Sequence, residues 1–124
     1  MRKNLFQLGQ FFLHSRGTSE WKIDCEEGLV DEDLQMLAHV ISKHVKFCHV
    51  VGVPEGGLKF ADTLRPYAST NAKDPVLIVD DVLTTGASMN SARRNLGKNV
   101  IGVVIFARGE PADWITPIFK TELL

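Results

Sequence analysis

Two adjacent carboxylates, Asp80 and Asp81, follow the apolar run Val76-Leu77-Ile78-Val79, and a small, hydroxyl-rich turn, Thr84-Thr85-Gly86-Ala87-Ser88, comes a few residues later. The turn offers successive backbone N–H groups and the hydroxyls of Thr84, Thr85 and Ser88 at the start of a helix, a setting that suits a doubly charged phosphate. Carboxylates repel that phosphate, but they accept hydrogen bonds from sugar hydroxyls and stabilise a nearby positive charge. A phosphate pocket beside a diol acceptor describes a site for a ribose 5-phosphate. The bland alternative makes Asp80 a strand cap and Ser88 a helix N-cap. It leaves two acids at the end of so apolar a strand unexplained.

These groups need a frame. Three β-branched apolar runs, Cys48 to Val53, Val76 to Val79 and Val100 to Phe106, show no polar alternation, as expected of strands buried on both faces. Between them the sequence predicts helices over Leu58 to Leu64, with Pro66 beyond, and Ser88 to Leu96, closed by Gly97. Val30, Leu34, Leu37, Ile41 and Val45 mark one face of an earlier amphipathic helix whose first turn carries Asp31, Glu32 and Asp33; His39 and His44 lie off that face. Thr116 to Phe119 adds a short final strand. Alternation of helix and strand predicts an α/β fold, a parallel sheet flanked by helices, over a single domain of residues 1–124. Ahead of it, Phe11-Phe12-Leu13-His14 and Glu20-Trp21-Lys22-Ile23-Asp24 flank Ser15-Arg16-Gly17-Thr18-Ser19 as a hairpin-like flap, so residues 1–28 form a hood and 29–124 the core.

Open parallel sheets bind ligands outside the carboxyl ends of their strands. There the first core strand runs into Gly52-Val53-Pro54-Glu55-Gly56-Gly57, whose glycines let backbone N–H groups approach an anion, although a tight strand-to-helix turn needs glycine on steric grounds alone. Arg108 comes two residues after the third run.

Composition removes other classes. The chain of 124 residues is 44% hydrophobic with a formal net charge of -1, so no global field draws it to nucleic acid or anionic lipid. No apolar run approaches the roughly 18 residues of a membrane span, and no secretory signal pattern opens the chain, so a soluble cytoplasmic protein is expected. Cys25 and Cys48 are not in a C-x-x-C pair and lack zinc-ligand spacing with the histidines, which reads as free thiols. Neither G-x-x-x-x-G-K-[ST] nor G-x-G-x-x-G occurs, and a phosphorylatable receiver domain is disfavoured because Asp113 is the sole aspartate after Asp81.

The segment Val76 to Ser88 resembles the phosphoribosyl pyrophosphate signature of type I phosphoribosyltransferases. Residues 9 to 25 are similar to the amino-terminal hood of the orotate branch, Gly52 to Ala61 to its pyrophosphate loop, and Ile105-Phe106-Ala107-Arg108 to its third-strand end. The resemblance implies transfer of a 5-phosphoribosyl group from phosphoribosyl pyrophosphate to a nucleobase, orotate foremost, by displacement of pyrophosphate. It assigns Asp80 and Asp81 to the ribose hydroxyls as the catalytic acids and Thr84, Thr85, Gly86, Ala87 and Ser88 to the 5-phosphate. Glu55, Gly56 and Gly57 meet pyrophosphate, and Arg108 and His14 meet the base. Magnesium is implied, held mainly by substrate oxygens with Asp81 contributing indirectly, and so is a homodimer.

Three positions depart from the pattern. Glu55 stands where many orotate enzymes carry lysine, His14 does likewise, and only Arg65 to Pro75 fill the interval that usually holds a long flexible loop, with Lys73 its one lysine. So short a stretch connects a helix to a strand but cannot also form a closing lid. A second class therefore stays open: a regulatory module that binds phosphoribosyl pyrophosphate or a nucleotide with little or no catalysis.

Overall fold

The computed structural model describes residues 5–12, 18–97 and 99–121. An antiparallel ribbon of β1 (Phe6–Phe12) and β2 (Thr18–Ile23) leads through the short α1 (Cys25–Gly28) and α2 (Asp31–His44) into the core. There β3 (His49–Gly52), α3 (Gly56–Leu64), β4 (Val76–Leu83), α4 (Ala87–Arg94), β5 (Val100–Arg108) and β6 (Ile115–Thr121) follow. The four core strands form one all-parallel sheet in the order β3-β4-β5-β6.

Both faces of the sheet are covered. Leu34, Leu37, Ala38 and Ile41 of α2 join Phe60, Ala61 and Leu64 of α3 over Leu77, Val79, Val103 and Ile105. On the opposite face Met89 of α4 packs on Ile78, Val100 and Val104. This explains why β4 and β5 read as unbroken apolar runs. His39 and His44 are exposed as expected, but Val30, expected on the buried face of α2, is the exposed N-cap of that helix, and Ala38 completes the packed stripe in its place.

The elements differ from their sequence-derived bounds in several places. The first flap strand was expected at Phe11 to His14, yet β1 begins at Phe6, because Phe6, Gln7 and Leu8 pair with Ile23, Lys22 and Trp21. The acids Asp80 and Asp81 were expected just after a strand ending at Val79; β4 runs on through them to Leu83, since ladder pairing with Val104, Phe106 and Ala107 continues past the apolar stretch. Helix α3 starts at Gly56 rather than Leu58, and α4 spans Ala87–Arg94 with Gly86, not Ser88, at its N-cap. The final strand is longer than Thr116 to Phe119.

That final strand is reached without a helix. Residues 109–114 run back along the sheet so that Ile115 sits opposite Gly102, and Trp114 fills the space over Gly102 with its ring 4.7 Å from the guanidinium of Arg93.

The interval Arg65 to Pro75 forms a compact connector and not a lid. Arg65–Tyr67 continues α3 as a 3-10 turn; then Ser69 donates its N–H to the Phe47 carbonyl at 2.7 Å and its hydroxyl to Asp74 Oδ2 at 2.6 Å. The Asn99 amide donates to the Lys73 carbonyl at 3.0 Å. These contacts hold the connector where β4 begins, at the opposite end of that strand from Asp80 and Asp81, and Lys73 is exposed there.

Candidate ribose-phosphate site

Register brings the site together. With His49 opposite Val76 and Gly52 opposite Val79, β3 stops level with the residue before the acids, so the loop from Gly52 to Gly57 emerges directly beside them. Its closure leaves no spare volume. A Cβ at Gly57 would collide with the Val79 carbonyl and one at Gly56 with the Asp81 carboxylate. The Val53 N–H donates to the Val79 carbonyl at 2.9 Å and the Gly57 N–H to the Val53 carbonyl at 2.8 Å, which pins the loop to β4. Glu55 is the exposed N-cap of α3.

The carboxylates are held by the backbone that follows each. Asp80 Oδ1 accepts the Asp81 N–H at 2.8 Å, and Asp81 Oδ1 accepts the Val82 N–H at 2.7 Å. Desolvation by burial, reinforced by the hydrogen bond and the charge of Asp81, raises the Asp80 pKa from its ordinary 3.8 to about 8. Asp80 therefore holds its proton well above the usual carboxylate range, and the pair can both donate to and accept from a diol.

After Leu83 the chain turns through Thr84 and Thr85 to Gly86, whose φ of 84° is a left-handed conformation that favours glycine. Thr85 Oγ1 accepts the Ala87 N–H at 3.3 Å, and the Gly86 carbonyl accepts the Asn90 N–H at 2.9 Å, starting α4. Thr85, Ala87 and Ser88 are exposed, and Ala87 and Ser88 line an open groove of about 410 Å³ with Pro54, Ser91, Ala92 and Asn95. On the other face of the sheet a cavity of about 230 Å³ joins Asp81, Glu55 and Gly56 to Lys59 and to the apolar Leu34, Phe60 and Ile105. Lys59 Nζ meets Asp31 there at 2.7 Å.

The structure thus brings together Glu55, Gly56, Gly57, Asp80 and Asp81, with Thr84 to Ser88 continuing from the same strand. Arg108 also lies at the carboxyl end of its strand, but its guanidinium is engaged by the ribbon: it donates to Ser19 Oγ at 3.0 Å and to the Trp21 carbonyl at 2.8 Å. His14 lies outside the described residues. Lys59, Ser19 and Trp21 were not assigned to the site from sequence. Lys59 sits one helical turn beyond Glu55, a spacing that would have flagged it, whereas no local pattern marks contacts as distant in the chain as Ser19 and Trp21 with Arg108. Among the described residues no group of three or more His, Cys, Asp or Glu side chains converges on a point that would hold a metal ion, and Cys25 and Cys48 are free thiols.

A parallel sheet with an acidic strand end, a glycine-rich loop beside it and an antiparallel ribbon ahead of the core is the fold of the type I phosphoribosyltransferases, in the form that resembles the orotate branch. The chain is similar to orotate phosphoribosyltransferase from Aeropyrum pernix, with 24% identity and a TM-score of 0.70 over 94% of this chain and 88% of that one. It is similar as well to Leishmania donovani UMP synthase (20% identity, TM-score 0.72, covering 94% of this chain and 33% of that one). A purine phosphoribosyltransferase from Pyrococcus horikoshii aligns with 21% identity and a TM-score of 0.54 over 74% of this chain and 83% of that one. No protein-family model and no curated protein sequence matches the chain.

Proposed function

We propose that this protein is a phosphoribosyltransferase that moves the 5-phosphoribosyl group of phosphoribosyl pyrophosphate to a ring nitrogen of a nucleobase, orotate foremost, releasing pyrophosphate. The observation that carries this reading is the convergence of Asp80 and Asp81 with the Gly56 loop at one strand end, followed directly by the left-handed turn into α4. Thr84 to Ser88 take the 5-phosphate at the helix amino-terminus. Asp80 and Asp81 take the ribose hydroxyls, and the loop at Glu55 to Gly57 takes the pyrophosphate end. The bond from base nitrogen to anomeric carbon forms as the bond to pyrophosphate breaks, the leaving group keeping the electron pair. Positive charge that develops on the sugar is met by the negative charge of the acid pair, and the two loops fix the orientation.

Magnesium belongs to the same proposal. Two carboxylates on which no third His, Cys, Asp or Glu converges among the described residues fit an ion that keeps water and takes oxygens from pyrophosphate and ribose, with Asp81 reached through water. Bound there, it neutralises pyrophosphate charge. A cytoplasmic homodimer completes the expectation.

A second reading, a phosphoribosyl pyrophosphate or nucleotide binding module without turnover, is favoured by one specific arrangement: the pyrophosphate loop presents Glu55, and the connector with Lys73 lies at the far end of β4. One experiment separates the two. The protein is incubated with magnesium, phosphoribosyl pyrophosphate and a panel of orotate, uracil and purine bases, and nucleotide products are identified by mass spectrometry. A ribosylated base establishes the transferase. Ligand affinity without any product establishes the binder, and loss of neither affinity nor product in the double variant Asp80→Asn, Asp81→Asn overturns the site.

A further inference from the structure

The loop from Glu55 to Gly57 brings no positive charge of its own: Glu55 is acidic, the glycines have no side chains, and the Asp81 carboxylate stands against Gly56. Among the described residues lining the cavity beside that loop, Lys59 is the one with a basic side chain. It stands on α3 one turn after Glu55, and because Cα–Cβ bonds on a helix tilt toward its amino end, that of Lys59 leans back toward the loop. Two cations at the ends of β5 and β6 are held elsewhere, Arg108 by Ser19 and the Trp21 carbonyl, Lys120 by Glu110 at 2.8 Å. Lys59 also has a partner, but a loose one. Its Nζ lies 2.7 Å from Asp31 Oδ1 at the start of α2, with 59% of the lysine side chain and 76% of the aspartate side chain exposed. A pair so open to water is weak, because both charges are screened and both side chains lose freedom to hold it.

We propose that Lys59 exchanges Asp31 for the pyrophosphate end of the substrate, and that Asp31 keeps the ammonium beside the cavity while no substrate is bound. The proposal rests on the reading of the site as one for phosphoribosyl pyrophosphate. Exchange is favoured because pyrophosphate presents several charged oxygens close together, in a cavity whose other walls include the apolar Leu34, Phe60 and Ile105. There an ammonium is screened less and gains more than it does beside an exposed carboxylate. The flexible four-carbon stem of lysine lets the charge move without moving α3, and its three rotatable donors need no fixed fork. As the bond to the anomeric carbon breaks, negative charge gathers on pyrophosphate, and the ammonium stabilises it. Asp31 touches no substrate in this scheme and is a positioning residue for Lys59.

The test is calorimetric titration of the full chain, as wild type, Lys59→Met and Asp31→Asn, with two ligands in magnesium: phosphoribosyl pyrophosphate, and ribose 5-phosphate, which keeps the phosphate and the diol but lacks pyrophosphate. The two variants break the same ion pair, so if that pair were only a strut between α2 and α3 they would act alike. Opposite effects are expected instead. Lys59→Met should weaken phosphoribosyl pyrophosphate at least about tenfold, the worth of a hydrogen bond to a charged group. Asp31→Asn removes the competitor and should tighten it about threefold, the strength of an exposed pair. Both variants should bind ribose 5-phosphate as wild type does. Lys59→Met that binds phosphoribosyl pyrophosphate like wild type, or that loses ribose 5-phosphate equally, overturns the role of Lys59. Asp31→Asn that binds phosphoribosyl pyrophosphate no more tightly than wild type overturns the exchange. All three outcomes leave the ribose-phosphate reading intact. A wild type that binds neither ligand overturns that reading itself, and is seen before any variant is made.

Discussion

Gly56 faces the Asp81 carboxylate so closely that no methyl group fits between them. This contact joins the loop after β3 to the acids at the end of β4, and it makes the glycine a steric requirement of the site rather than a flexible joint. Gly56→Ala is expected to push the Asp81 side chain aside. The overpacking should cost about 1–3 kcal/mol in denaturant unfolding and at least about tenfold in phosphoribosyl pyrophosphate affinity by calorimetry, tenfold being about 1.4 kcal/mol.

Asp80 titrates far above its ordinary range, at about 8, because burial and Asp81 disfavour its charge. In the unfolded chain it ionises near 3.8, so between these values the folded state holds a proton that the unfolded state has released. Stability must therefore fall as pH rises through this window, by up to about 1.4 kcal/mol per pH unit from this group. Asp80→Asn removes the penalty. Unfolding titrations should find the variant more stable than wild type at pH 8, with the gap closing as pH falls toward 4.

Arg65 reaches the edge of the sheet at β3. Arg65 Nη1 donates to the Val50 carbonyl at 3.2 Å while Nε and Nη2 bind Asp62 Oδ1 at 3.2 and 3.0 Å. Arg65→Ala uncovers that carbonyl on an open strand edge. A loss of about 1 kcal/mol is expected, together with concentration-dependent self-association in light scattering, since unpaired edges template further strands.

Gly102 lies in β5 between α4 and the run that leads back to β6; a Cβ there would stand 2.9 Å from both the Met89 methyl and the Trp114 ring. Gly102→Ala should lower thermal stability by about 1–3 kcal/mol. A red shift of Trp114 emission, measured in a Trp21→Phe background, reports the displacement.

The helix of Asp31–His44 and the buried runs of β4 and β5 were legible because their periodicity follows from which faces lose water, and nearby residues suffice to write that pattern. The acids and the turn Thr84 to Ser88 were legible for the same reason, as one continuous segment. Where β4 ends was not, because its last residues are held by pairing with β5 and not by their own apolar character. Nor was the helix-free return to β6, which depends on Trp114 finding the gap over Gly102.

By itself, then, the sequence determined an α/β chain with an acidic pair on one strand and a hydroxyl-rich turn just after it, all of it local information. Tertiary structure alone decided that Gly56 meets Asp81, that the connector carrying Lys73 lies at the far end of β4, and that Arg108 binds the ribbon rather than standing open. Each is a relation between segments distant in the chain, fixed by strand register and by which side chains fill the remaining space, and no window of neighbouring residues encodes it.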